Sequence, residues 1–136
     1  MEVRLSPSPD QAWLETWWAV DPRGGTRELE AAAAILARIA EPVAFASALV
    51  GDSTSGVALG VLVDNVLVLE CVATRPEARR RGVARAVAAV LGRWAAERGA
   101  TRALLAVQEA NVPARAVYRA LGLTEASSYA YARPGS

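Results

Sequence analysis

The sequence has no histidine, no lysine and a single cysteine, Cys71, among 136 residues. Without histidine, Ser-His-Asp hydrolysis, Cys-His proteolysis and histidine-based metal catalysis are excluded together. One cysteine rules out an internal disulfide and speaks against a zinc site of the usual kind. No apolar run approaches the ~20 residues needed to span a bilayer. The start, Met1-Glu2-Val3-Arg4-Leu5-Ser6, has neither the basic nor the apolar stretch of a secretory leader. What is present is a chain 53% apolar and 21% charged, too hydrophobic for disorder and long enough for one core. The expectation is a single domain over residues 1–136, cytoplasmic and free of metal.

A net charge of +1 hides a division. Residues 1–70 carry four arginines and ten acids, whereas residues 71–136 carry eleven arginines and four acids. Thirty alanines, and arginine in place of lysine, read as the bias of a GC-rich genome. Such a bias does not separate the two signs along the chain. A chain divided in this way offers a basic surface to a polyanion and an acidic one to a cation.

Residues 2–6 read as a short first strand. Ser8, Pro9 and Gln11 fit a capping box in which Ser8 caps a helix bearing Ala12, Trp13, Trp17 and Val20. Trp13, Trp17 and Trp18 are read as core with one ring exposed. Asp21-Pro22-Arg23-Gly24-Gly25 ends that helix, and Thr26 is placed as the cap of a second, with Leu29, Ala32, Ala33, Leu36 and Ala40 on one face. Three apolar runs, Val43–Val50, Val57–Val63 and Val66–Thr74, are separated by Gly51–Gly56 and by Asp64-Asn65, which predicts an antiparallel meander. After Pro76 the period turns helical, with Val83, Val87, Val90, Leu91 and Trp94 on one face and Gly99 as the C-terminal cap. Arg102–Gln108 reads as a buried strand. Asn111 opens a further helix closed by Gly122, and Leu123–Ala132 reads as one last strand. The predicted order is β-α-α-β-β-β-α-β-α-β, with no repeat and no second domain.

The stretch that carries most chemistry is Val72 to Arg85, where a strand ends and an Arg/Gly-rich turn opens a long amphipathic helix. The first N–H groups of a helix lack partners within it and sit at the positive end of its dipole, so phosphate is their natural ligand. Gly82 lets the backbone approach closely, Ala84 is small, and Arg79, Arg80, Arg81 and Arg85 add permanent charge. A solvated charge run is the plainer alternative. Cations at a helix N-terminus are mildly unfavourable unless an anion is present, which favours the ligand reading. Neither the lysine and Ser/Thr of a P-loop nor a G-x-G-x-x-G dinucleotide fingerprint is found here.

Arg79-Arg80-Arg81-Gly82-Val83-Ala84 resembles the R/Q-x-x-G-x-G/A signature of GNAT-superfamily N-acetyltransferases. A second block, Val107, Asn111, Ala114, Tyr118, Gly122 and Leu123, is similar to that family's fifth-strand and fourth-helix pattern. Spacing and order match over roughly residues 43–131; the first 42 residues match in topology alone. Where many relatives carry aromatic-His-aromatic on the last strand, this chain has Tyr129-Ala130-Tyr131. The chain is also similar to the C-terminal acetyltransferase module of longer actinobacterial proteins.

The resemblance implies a mixed α/β (α+β-like) GNAT fold whose central sheet has its fourth and fifth strands parallel and splayed apart. Acetyl-CoA would be the cosubstrate, lying in the splay. The turn Arg79, Arg80, Arg81, Gly82, Val83, Ala84 and Arg85 would hold its diphosphate, Asn111 would also bind the cosubstrate, and the backbone of Val72 and Thr74 would bind pantetheine and the acetyl carbonyl. The Tyr118 hydroxyl would protonate the departing thiolate, with core packing as its alternative. Glu70 shares strand parity with Val66, Val68 and Val72, and a carboxylate there is anomalous for a buried strand; it is nominated as the base, with Glu109 or water as alternatives. Cys71 is expected on the opposite face, between Leu69 and Ala73, as a small core residue. The acceptor would be a small-molecule or peptide amine, and homodimers are common in the family. A membrane or nucleic-acid partner is not expected. A CoA-binding sensor without turnover is the competing reading, and a nucleic-acid module using the arginines is a third.

Overall fold

Alternating apolar residues along the middle of the chain build a sheet, and that sheet positions everything else. The computed structural model describes residues 1–22, 24–106, 124–127 and 130–132. In chain order the elements are β1 (Glu2–Ser6), α1 (Gln11–Val20), α2 (Thr26–Leu36), β2 (Val43–Val50), β3 (Ser53–Val63), β4 (Val66–Thr74), a 3₁₀ turn at Pro76–Ala78, α3 (Val83–Ala96), β5 (Arg102–Ala106), β6 (Thr124–Ser127) and β7 (Ala130–Ala132). The strands form one sheet in the order β1-β2-β3-β4-β5-β7-β6, antiparallel except where β4 meets β5. The fold is the mixed α/β arrangement expected, with the parallel pair at the expected strands.

Several local expectations are corrected. The first hairpin is tighter than its polar run suggests: Val50 pairs with Ser53, leaving only Gly51-Asp52 as the turn, with Gly51 at φ +62°. Glycine at the first turn position supplies the handedness a two-residue hairpin needs, so Ser53–Gly56 extend β3. Asp10, not Ser8, caps α1, its carboxylate accepting the Trp13 N–H at 2.7 Å. Burial of Trp13 and Trp17 fixes where the first turn starts, and Asp10 stands three residues before Trp13. Gly25, not Thr26, precedes α2; the Glu28 carboxylate reaches back to accept the Gly25 N–H at 2.9 Å. Helix α2 stops at Leu36, so Ala40 lies beyond it. The single last strand is two, β6 and β7, paired antiparallel with Thr124 opposite Ala132. The expected helix from Asn111 lies outside the described residues.

The sheet has two different faces. One is paved with Ala44, Ala46, Ala48 and Ala58 and takes Val83, Val87, Leu91 and Ala95 of α3. Small sheet residues let that helix come close: a Cβ at Gly60 would lie 3.0 Å from Leu91 Cδ2. The buried stripe of α3 repeats every fourth residue, while Val90 and Trp94 are only half-buried. Burying each Val or Leu is worth about 1.5–3 kcal/mol. Gly99, at φ +93°, ends α3 with paired bonds from Gly99 N to Ala96 O (3.1 Å) and Ala100 N to Ala95 O (3.0 Å), the expected glycine cap. On the other face, Trp13 and Trp17 of α1 pack with Phe45, Val57, Leu59, Val61 and Ala73. Helix α2 contributes no fully buried residue, and Ile35 is 69% exposed.

Candidate functional site

Two features of β4 set the geometry of the candidate site. The first is where its parallel pairing ends. Strands β4 and β5 pair from Val66/Arg102 to Leu69/Leu105, and beyond that point β4 runs on to Thr74 with only β3 beside it among the described residues. Glu70 is the first residue past the last parallel pair. It is half-buried, and its carboxylate makes no hydrogen bond or ion pair among the described residues.

The second feature is a bulge. Leu59 pairs with Glu70 and Val57 with Ala73, so the single residue Ala58 faces both Cys71 and Val72. Cys71 takes φ +54°, a conformation unusual for a residue with a Cβ. The extra residue shifts the alternation by one, and this overturns two expectations. Val68, Cys71 and Ala73 pack on the α1 side, while Leu67, Leu69 and Val72 pack on the α3 side. Glu70, by alternation with Val68, therefore shares its face with Cys71 and not with Val72. Cys71, for its part, does not lie in line with Leu69. A one-residue insertion reverses every side chain after it.

Past β4 the chain enters the arginine-rich turn. Arg75 is pinned: its backbone N–H donates to Ser55 O (2.9 Å), its Nε to Thr54 O (2.9 Å) and its Nη2 to Thr16 Oγ1 (3.1 Å). It ties β3, α1 and the start of the turn together. Sequence reading missed it, because its partners lie 21 and 59 residues away. Gly56 was missed as well. A Cβ there would collide with Val83 Cγ1, so this glycine lets the first turn of α3 seat on β3. The available signal was an isolated glycine beside a strand pattern, which the turn reading of Gly51–Gly56 absorbed.

Helix α3 starts from Gly82 at φ +76°, two residues after Arg80 at φ +70°. Among the described residues no side chain caps it, and its first internal bond is Ala86 N to Gly82 O, at 2.9 Å. The N–H groups of Val83, Ala84 and Arg85 thus have no partner within the helix. Among the described residues, no atom lies within 4 Å of where a Cβ on Gly82 would stand. Val83 is buried and Ala84 half-buried, while Arg79, Arg80, Arg81 and Arg85 are exposed. None of these four arginines has a side-chain hydrogen bond or ion pair among the described residues. Val72 and Thr74, both half-buried, end β4 just before the turn. Tyr118, Asn111 and Glu109 lie outside the described residues.

A groove of about 580 Å³ opens beside this turn, lined among others by Glu15, Asp52, Glu77, Arg75 and Arg81. The acidic first half and the basic second half of the chain meet in it. Among the described residues no group of acidic or cysteine side chains is arranged to hold a metal ion, and no helix is long and apolar enough to cross a membrane.

The site joins a sheet with one parallel pair, a bulged fourth strand and a helix whose start no side chain caps among the described residues. The profile of the family described as "Acetyltransferase (GNAT) family" matches residues 5–123, and the chain belongs to that family. By that membership it is an acetyltransferase. No curated protein sequence matches the chain. Among solved structures it is similar to the aminoglycoside N-acetyltransferase AAC(6')-Iy in complex with CoA (20% identity, TM-score 0.75, 93% of this chain and 89% of that one). It is also similar to the ribosomal-protein-S18-alanine N-acetyltransferase from Escherichia coli (19%, TM-score 0.71, 96% and 91%). A third is the PaiA N-acetyltransferase from Thermoplasma acidophilum in complex with coenzyme A (13%, TM-score 0.69, 98% and 99%). At these identities the likeness is one of fold.

Proposed function

We propose that the protein transfers an acetyl group from acetyl-CoA to a primary amine by direct attack on the thioester. The observation that carries this reading is the first turn of α3: left-handed at Gly82, flanked by the exposed Arg79, Arg80, Arg81 and Arg85 and, among the described residues, without a side-chain cap or an atom above Gly82. Those N–H groups and Arg79, Arg80, Arg81 and Arg85 would hold the diphosphate. The backbone of Val72 and Thr74, at and after the bulge, would take pantetheine and the acetyl oxygen, with Asn111 as a further contact.

The amine nitrogen attacks the thioester carbon, the carbonyl electrons move to oxygen, and the carbon–sulfur bond breaks as they return. Backbone N–H groups aimed at that oxygen stabilise the charge it gains. An alkylamine with a pKa of about 10 is almost wholly protonated at neutral pH, so a proton must leave before attack. Glu70, at the end of the parallel pairing, is assigned that proton, directly or through water. Tyr118 is assigned its return to the thiolate. The carboxylates of Glu15, Asp52 and Glu77 in the groove support a cationic acceptor. The similar enzymes act on an aminoglycoside and on a protein alanine, both amines.

The test is thiol release from acetyl-CoA across a panel of amines, run on the wild type and on Glu70→Gln. Amine-dependent release by the wild type is expected. The variant should lose about tenfold or more in kcat/KM, most severely near neutral pH, where the amine is protonated. CoA binding without release by any amine would leave a sensor; a fully active Glu70→Gln would return the base role to Glu109 or water.

A further inference from the structure

The bulge in β4 is strained, and something must hold it. A residue with a Cβ at φ +54° costs about 1–3 kcal/mol and persists only where its surroundings over-determine it. Part of that hold comes from α1. Trp13 is 1% exposed, and its indole Nε1–H donates to the carbonyl of Ala58 at 3.2 Å. Ala58 is the one residue of β3 that faces two residues of β4, Cys71 and Val72. It is itself 1% exposed.

The ring of Trp13 is fixed from three directions. It stands edge-on to Phe45 of β2, with centroids 5.1 Å apart, and tilts against Trp17 at 5.7 Å. Its backbone N–H is held by Asp10 at the start of α1. An indole so placed has little freedom, so its N–H meets Ala58 at one position. By contrast, Trp17 makes no indole hydrogen bond among the described residues, and Trp18 donates to Gly24 O on the outer side of α1.

We propose that Trp13 is a positioning residue: its indole N–H holds the Ala58 carbonyl, and through it the bulge that aims the Val72 backbone at the acetyl oxygen. This rests on the acetyl-transfer reading for its consequence in catalysis. Trp13, at 1% exposure, presents almost no surface to a ligand. Its effect is confined to the acetyl end of the ligand, since the diphosphate turn begins seven residues beyond Val72, at Arg79.

Trp13→Phe keeps an aromatic ring and removes the donor. The expected result is a fall in kcat of about tenfold or more, a fraction of the loss seen when a whole oxyanion donor is removed. CoA affinity should stay within twofold, while any preference for acetyl-CoA over CoA should disappear. Trp17→Phe, a comparable change in the same cluster without a lost donor, should keep both kcat and that preference. Equal losses in the two variants, or an unchanged preference in Trp13→Phe, would overturn the proposal.

A measurement on the intact wild type stands beside this in case the variant does not fold. The Trp13 indole N–H resonance should move on adding acetyl-CoA and much less on adding CoA. An identical response to both ligands overturns the proposal. If no amine releases thiol while the two ligands still differ at Trp13, the transfer reading fails and the coupling to the bulge stands. If acetyl-CoA does not bind at all, both fall.

Discussion

Helices α1 and α3 begin in opposite ways. At α1 the Asp10 carboxylate accepts the Trp13 N–H, so the positive end of the helix is closed by the protein's own negative charge. At α3 no side chain among the described residues takes that place; Gly82 turns left-handed, and four exposed arginines flank the helix start. Each such cation costs about 0.3–1 kcal/mol at a helix N-terminus in the absence of an anion. The first end serves stability. In the proposed reading, the second gives up stability in the free protein in exchange for a place to hold phosphate.

That contrast separates binding from chemistry, and it can be broken at three places. The largest effect is expected away from both helix starts. Tyr118→Phe removes the hydroxyl assigned to protonate the thiolate and should lower kcat by roughly 10²–10⁴-fold. CoA affinity, measured by calorimetry, should not move, because the α3 turn is intact. Full activity would reduce Tyr118 to a packing role.

Next in size is Gly82→Asp, which gives α3 the negative charge α1 already has. Aspartate tolerates the left-handed conformation better than most residues. At about 5.5 Å and an effective dielectric of about 20, its charge opposes the nearest phosphate charge by about 3 kcal/mol. The dissociation constant for CoA should rise by about 10²-fold, since each 1.4 kcal/mol is a factor of about ten. Wild-type affinity in the folded variant would remove the diphosphate from this turn.

The smallest effect is the mirror change. Asp10→Ala opens α1 and should cost about 1 kcal/mol of stability, read as a drop of about 3 °C in Tm. CoA affinity should be unchanged. If Asp10→Ala weakened CoA binding as much as Gly82→Asp, the two helix ends would not be functionally distinct.

Much of this protein is legible without coordinates, for reasons of range. The periods of α3 and β2, the Asp64-Asn65 turn and the Gly99 cap depend on residues within a few positions of one another. The Arg79–Ala84 turn is equally local, so the proposal of an anion cradle could be drawn from spacing. Competing local signals were less decisive. Ser8 and Asp10 are near-equal caps, and only the burial of Trp13 and Trp17 against the sheet chose between them. The polar run Gly51–Gly56 looked like a loop until pairing with β2 took Ser53–Gly56 into β3.

What the sequence by itself determined is the class: a histidine-free α/β enzyme with an open, cationic helix start after its fourth strand. Only the tertiary structure decided how β4 delivers its residues to that place. The bulge at Cys71 and Val72 exists because β3 and β4 pair in one register before it and another after it, and no pattern within β4 announces the shift. With it went the faces of Glu70, Cys71 and Val72. The same holds for Trp13 with Ala58 and for Arg75 with Thr16, contacts spanning 45 and 59 residues. Local preferences select helix, strand and turn, but a side chain's partner across the fold is chosen by how whole elements pack, and one extra residue is enough to change it.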